Sequence, residues 1–176
     1  MKIDTKILKR HPFLTGMAIF AVAGALTGGA IAQGVLRTGA ATAPISSTVT
    51  VPTGYETIYL SGMTGTLPAP AGSPPGTPGP DSGDTEAQAN RALANIKTAL
   101  AEKGLGFGDI VMMHAYLAPD PTTGRGDSAG WARAYTKAFG TPDQPNKPSR
   151  TTITVVLGSP TAKIEIETIA VRKPKM

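Results

Sequence analysis

Apolar and polar positions alternate with two distinct periods along the C-terminal two-thirds of the chain. From Asp84 to Lys103, Ala89, Ala92, Leu93, Ile96 and Leu100 recur on one helical face, and Gly104 stops the run. Thr85 and Gln88 have capping-box spacing, and Asp84 and Glu86 suit the positive end of a helix. Ser128 to Phe139 predicts a second helix behind an Asp127 N-cap, with Trp131, Ala134, Tyr135 and Ala138 facing inward and Gly140 closing it. Ile110 to Leu117 reads as a buried strand. Thr151 to Leu157 is β-branched and strand-like. Lys163 to Val171 alternates, with Ile164, Ile166, Thr168 and Ala170 on one face and Glu165, Glu167 and Ile169 on the other. Ile58-Tyr59-Leu60 is a short β-prone run ending at Ser61-Gly62.

The order strand, helix, strand, helix, strand, strand predicts an α+β layer with two helices on one face of a mixed sheet. The other face, carrying Ile169 and Val155, cannot all be left to water, so self-association through it is expected. Leu67 to Gly83 is dominated by Pro and Gly and predicts a surface loop. Residues 33–47 are mostly small and polar and read as a linker, which starts the domain at residue 48 and runs it to 176 with 67–83 as an insertion.

Ahead of that domain stands a different pattern. Lys2, Lys6, Lys9 and Arg10 precede an apolar run from Phe13 to Leu26. Ala30-Ile31-Ala32 then offers small residues where a signal peptidase cuts. The run is about 14 residues, short of the ~20 that a spanning helix needs. Residues 1–32 therefore predict an export signal cleaved after Ala32, in preference to a retained membrane anchor. The protein is then expected outside the cytoplasm, periplasmic or secreted, with no stable membrane partner.

Removing that segment changes the charge picture. The chain has 17 Lys+Arg and 12 Asp+Glu; the segment to Ala32 holds four bases and one acid, leaving 13 against 11. A remainder this close to neutral argues against nucleic acid as a partner. There is no Cys, so disulfides, thiolate catalysis and cysteine metal sites are excluded. His11 lies in the signal, leaving His114 alone, and no metal site is expected.

Candidate chemistry is sparse. His114 sits mid-strand and reads as structural. Arg125-Gly126-Asp127 looks like an adhesion tripeptide, but a turn followed by an N-cap Asp accounts for it. Arg150 starts a strand and can present its guanidinium fork to a carboxylate. Glu165, at an alternating position of what reads as a neighbouring strand, can hold and polarise a water. From spacing alone, an Arg150–Glu165 salt bridge on one sheet face is the simpler reading.

From about Pro44 to Arg172 the chain resembles the RidA/YjgF family of enamine/imine deaminases. Leu60-Ser61-Gly62-Met63-Thr64-Gly65 is similar to the family's first strand and turn. Gly83-Asp84 through Gln88 and Ala94-Asn95-Ile96-Lys97 resemble its first helix, and Gly108-Asp109-Ile110-Val111 the entry to the next strand. Most specific are Pro148-Ser149-Arg150-Thr151-Thr152 and the run from Lys163 to Ala170. The resemblance implies a chorismate-mutase-like fold, a homotrimer with sites in clefts between subunits, and no cofactor. It implies hydrolysis of reactive 2-imino or enamino acids, as by a 2-iminobutanoate/2-iminopropanoate deaminase. Arg150 would pair with the substrate carboxylate, Glu165 would position the water, and Ser61 would lie beside the site. Thr152 stands where many members carry a cysteine, and Ile45 where many carry an aromatic residue. The same cleft used without turnover, as a binding module for a small carboxylic acid, is the alternative. Members described as ribonucleases, translation inhibitors or chaperone-like proteins are poorer precedents for an exported, nearly neutral domain.

Overall fold

The computed structural model describes residues 34–174. The expected export signal, residues 1–32, lies outside the described residues. Nine elements follow in order: β1 (Leu36–Thr38), β2 (Thr48–Thr50), β3 (Glu56–Thr64), α1 (Thr85–Ala101), a 3-10 turn (Phe107–Asp109), β4 (Ile110–Leu117), α2 (Ser128–Ala138), β5 (Ser149–Thr154) and β6 (Ile164–Arg172).

The main sheet has the order β3-β6-β4-β5. β6 is antiparallel to both its neighbours, β3 and β4, while β5 runs parallel to β4. A parallel pair needs a crossover, and α2 supplies it. Pleating decides which side chains meet the helices. Met113, Ala115 and Leu117 of β4 and Ile164, Ile166 and Ala170 of β6 are buried beneath Ala92, Leu93, Ile96 and Leu100 of α1 and Trp131, Ala134 and Tyr135 of α2. The predicted alternation of 163–171 is thus the observed one, as are both helices to within two residues at each end.

The opposite face is open. It carries Tyr59, Met112, His114, Tyr116, Ile153, Glu165, Glu167 and Ile169, with Tyr59 76% exposed; past the end of β5, Val155 is 40% and Val156 84% exposed. Large apolar side chains concentrated on one face are the signature of a surface that associates.

Several expectations change. The described part of the expected linker, residues 34–47, is not free: Leu36–Thr38 pairs with β2, with Leu36 opposite Thr50. Arg37 ties this ribbon down by donating to the carbonyls of Gly108 (2.9 Å) and Ile110 (3.1 Å). A three-residue strand held by backbone bonds and one long side chain leaves no hydrophobic period to read. β3 does not end at Ser61-Gly62 but passes through them by a bulge to Thr64. β5 ends at Thr154 and not at Leu157. At α1 the N-cap is Asp84, whose Oδ1 accepts from the amide of Ala87 (2.8 Å). Gln88 is instead buried: its Oε1 accepts from the amide of Lys163 (2.8 Å), and its Nε2 donates to the carbonyl of Thr161 (2.9 Å). α1 thereby holds the entry to β6.

The Pro/Gly-rich segment 67–83 is an ordered surface loop. The amides of Ser73 and Thr77 donate to the carbonyls of Pro70 and Pro74 (each 3.1 Å), with Gly72 and Gly76 at φ 85° and 82°. That is the geometry of two successive type II turns, which need glycine at the third position. The neck is fastened by Ser82, whose Oγ accepts from the amide of Leu67 (2.8 Å), and by Arg91, which donates to the carbonyls of Gly65 (2.7 Å) and Ser82.

Candidate active site

The candidate residues fall into two groups on opposite faces of the sheet. Arg150 pairs in register with Met113 and Thr152 with Ala115, so both side chains face the helices. Glu165 pairs with Tyr116 of β4 and Thr64 of β3 and faces the open side. The simple Arg150–Glu165 salt bridge is therefore not formed. Its premise failed because β5 and β6 are not neighbours: β4 lies between them.

Arg150 is held by aromatic rings. Its Cζ lies 4.1 Å from the centroid of Tyr135 and 5.4 Å from that of Trp131. Its Nη1 is buried with no hydrogen-bond acceptor, and none of the ion pairs among the described residues involves it. Burial draws its pKa down, only partly offset by Tyr135. An ionised group kept out of water without a counter-charge is costly unless a partner arrives. Tyr135 is pushed the other way, up to about 12, by burial. The Nε1 of Trp131 donates to Thr152 Oγ1 (3.3 Å). Ile45 is partly buried against the core. Its neighbour Ser46 donates from its amide to the carbonyl of Pro148 (3.1 Å) and from Oγ to that of Lys147 (2.6 Å). Those bonds fasten the loop that carries Ile45 to the segment just ahead of β5. Arg150 and Thr152 are thus grouped on the edge strand β5, and Ile45 lies in the loop between β1 and β2, tied next to the start of that strand.

The second group lies at the bulge of β3. Gly62 leaves the space in which the Glu165 carboxylate sits: a Cβ there would fall 2.0 Å from Oε1. Ser61 shares this bulge and is exposed. Beside Glu165 on the same face, Tyr116 Oη donates to Glu167 Oε2 (2.9 Å), and His114 Nδ1 lies 3.6 Å from that oxygen. The bond to Glu167 raises the Tyr116 pKa. His114 thus belongs to a surface network, whereas Asp127 is committed to α2, its Oδ1 accepting from the amide of Gly130 (2.8 Å). Sequence reasoning missed Trp131 and Tyr135 as supports of Arg150. The spacing of Trp131, Tyr135 and Phe139 at i, i+4 and i+8 was a visible signal of one aromatic face.

The features define a class: an α+β subunit with two helices on one face of a mixed sheet, an unpaired arginine on its edge strand and a carboxylate on its open face. The sequence profile of the family described as Endoribonuclease L-PSP matches residues 37–172. The chain belongs to the RidA/YjgF family. Protein DfrA of Myxococcus xanthus is 37% identical over 90 residues, 51% of this chain and 61% of that protein. The match therefore spans less than two-thirds of that relative's length. Among solved structures, YyfB of Yersinia pestis, a protein of the conserved Rid family, superposes with a TM-score of 0.59 at 21% identity, covering 78% of this chain and 98% of that one. Escherichia coli TdcF with bound serine is 28% identical with a TM-score of 0.51, covering 70% and 85%.

Proposed function

We propose that the protein hydrolyses reactive 2-imino or enamino acids to 2-oxo acids and ammonia. The observation that carries this reading is the Arg150 guanidinium, partly desolvated, with Nη1 buried and no anionic partner among the described residues. A carboxylate substrate supplies the missing charge bidentately and is thereby oriented. A water held by Glu165 then adds to the C=N carbon. One water proton passes through the carboxylate to the nitrogen; the hydroxyl proton of the carbinolamine then follows the same path, the C–N bond breaks, and ammonia leaves as the carbonyl forms. The iminium carbon is already electrophilic, so orientation and one hydrogen-bonding carboxylate meet the catalytic demand.

The reading includes self-association as a homotrimer. Arg150 and Glu165 face opposite ways in one chain, so a shared site needs the edge strand of one protomer against the open face of the next. The exposed Tyr59, Ile153, Val155 and Val156 give that contact its apolar surface. The bound serine of TdcF, itself a small 2-amino carboxylate, supports the substrate class. Action outside the cytoplasm belongs to the same proposal and rests on residues 1–32 alone.

The test generates imines with an amino-acid oxidase and follows their trapping by semicarbazide. The protein should slow trapping, and an Arg150→Ala form should not. Trapping at the protein-free rate would sink the deaminase reading. A second reading, a non-catalytic carboxylate-binding module, is favoured by Ile45, which leaves an apolar wall without a phenol. Pyruvate would then raise the melting temperature with no effect on trapping.

A further inference from the structure

The arginine has a support that the reaction as outlined does not use. Trp131, Tyr135 and Phe139 recur every fourth residue on α2 and continuing past its end, and form a ladder. Phe139 stacks on Tyr135 (centroids 4.7 Å, interplanar 18°), and Trp131 meets Tyr135 edge-on (5.4 Å, 68°). Phe107 packs against Phe139 (5.1 Å, interplanar 38°) and anchors the ladder to the 3-10 turn. Arg150 caps its near end, closest to Tyr135. Tyr135 is fully buried and its hydroxyl has no hydrogen-bond partner, so the residue is held by packing of its ring.

A substrate-binding arginine faces two demands. Its long side chain must be held in one geometry, and its charge must stay available. A protein carboxylate would meet the first and defeat the second, since the substrate would have to displace it. An aromatic face attracts the cation through its quadrupole and adds no negative charge. We propose that Tyr135, with Trp131 beside it, is a positioning residue for substrate binding: its ring orients the Arg150 guanidinium while leaving it electrostatically unpaired. Trp131 extends the same control to Thr152 through its Nε1 bond. The inference rests on the carboxylate-binding role proposed for Arg150.

Such a residue acts on binding, equally in ground and transition states. Its loss raises KM and leaves kcat nearly unchanged. In the full-length chain, Tyr135→Phe should keep the Kd for 2-oxobutanoate within about twofold, because the ring remains. Tyr135→Leu should raise Kd and KM about tenfold, with little change in kcat. Because the leucine form removes core volume, a second series keeps the shape. Phenylalanines carrying one, two and three ring fluorines at position 135 drain the quadrupole progressively, and log Kd should climb with each fluorine. A flat series in a protein that turns over imines overturns the positioning role and leaves the deaminase reading standing. A graded series without turnover keeps the positioning role and removes the deaminase reading. A wild-type chain that neither binds 2-oxobutanoate nor slows imine trapping overturns both.

Discussion

The carboxylate of Glu165 occupies the space that a side chain on Gly62 would fill. A Cβ on Gly62 would lie 2.0 Å from Oε1 and 2.8 Å from Cδ of Glu165. The two residues sit on adjacent strands: Gly62 lies in the register shift between Leu60 and Met63, and Glu165 just beyond it, opposite Thr64. The bulge bends β3 and opens a recess for the acid, and glycine keeps the recess clear.

Gly62→Ala is therefore a way to move Glu165 without touching its charge. Gly62 does not have a positive φ, so alanine adopts its backbone without strain. The clash is with the end of a flexible side chain, which swings away. The unfolding free energy should change by less than about 1 kcal/mol, while imine hydrolysis falls about 100-fold, the cost of misplacing a catalytic group by ~1 Å. Urea melts and the semicarbazide assay on one preparation check both halves. Full activity in the alanine form would remove Glu165 from the mechanism.

Arg150→Lys separates charge from geometry. Lysine keeps the cation but loses the planar fork and its fit over the Tyr135 ring. Pyruvate should bind the lysine form at least about tenfold more weakly than wild type, and Arg150→Ala should give no thermal shift at all. Titrations of melting temperature against pyruvate distinguish the three. Equal affinity in wild type and lysine forms would mean that a point charge suffices.

Much of this is legible in the amino-acid sequence. The alternation of Lys163 to Val171 separated Glu165 from Ile164 and Ile166, and the Asp127 cap and the α2 face followed from spacing. What was not legible depends on strand order. Arg150 and Glu165 look like neighbours across a turn, yet β4 inserts between their strands and pleating sends them to opposite faces. β1 was hidden because a three-residue strand has no period. Gly62 was hidden because its value lies in the space that it leaves for a residue 103 positions away.

Glu86 links the two helices and gives a pH signature. Its Oε2 accepts from Arg133 Nε (2.5 Å) and its Oε1 from Lys137 Nζ (2.6 Å). These bonds, the one from Lys137 first, hold its pKa below the usual carboxylate value. For a lowered acid, the stabilisation is present above the unfolded pKa, about 4.3, and is lost as pH falls through the folded value. Glu86→Gln should lower the melting temperature at pH 7, and the two curves should converge as the pH drops below that range. The two cations are exposed, so added salt should narrow the gap as well. A constant difference from pH 7 to pH 2 would assign the effect to packing.

Arg91 makes the sharpest test of the insertion. Its guanidinium reaches the carbonyls of Gly65, just before the Pro/Gly-rich loop, and Ser82, near its end. Asn95 Nδ2 adds a bond to the carbonyl of Thr64 (3.2 Å), the residue opposite Glu165. The neck of the loop and the end of the Glu165 group therefore share one brace on α1. Arg91→Ala strips two partly buried carbonyls of a charged donor, at a cost of about 1–3 kcal/mol. The turns at Gly72 and Gly76 are local and should persist, whereas the neck should open. Hydrogen exchange reads this directly: the Leu67 amide, bonded to Ser82 Oγ, should exchange faster, while the core amides of β4 change only with global stability. If the loop matters to the site only through this brace, imine hydrolysis should fall in Arg91→Ala. It should then survive replacement of 70–77 by a shorter glycine–serine turn that leaves the neck intact. Loss of activity in the shortened loop alone would give the turns themselves a place in the cleft.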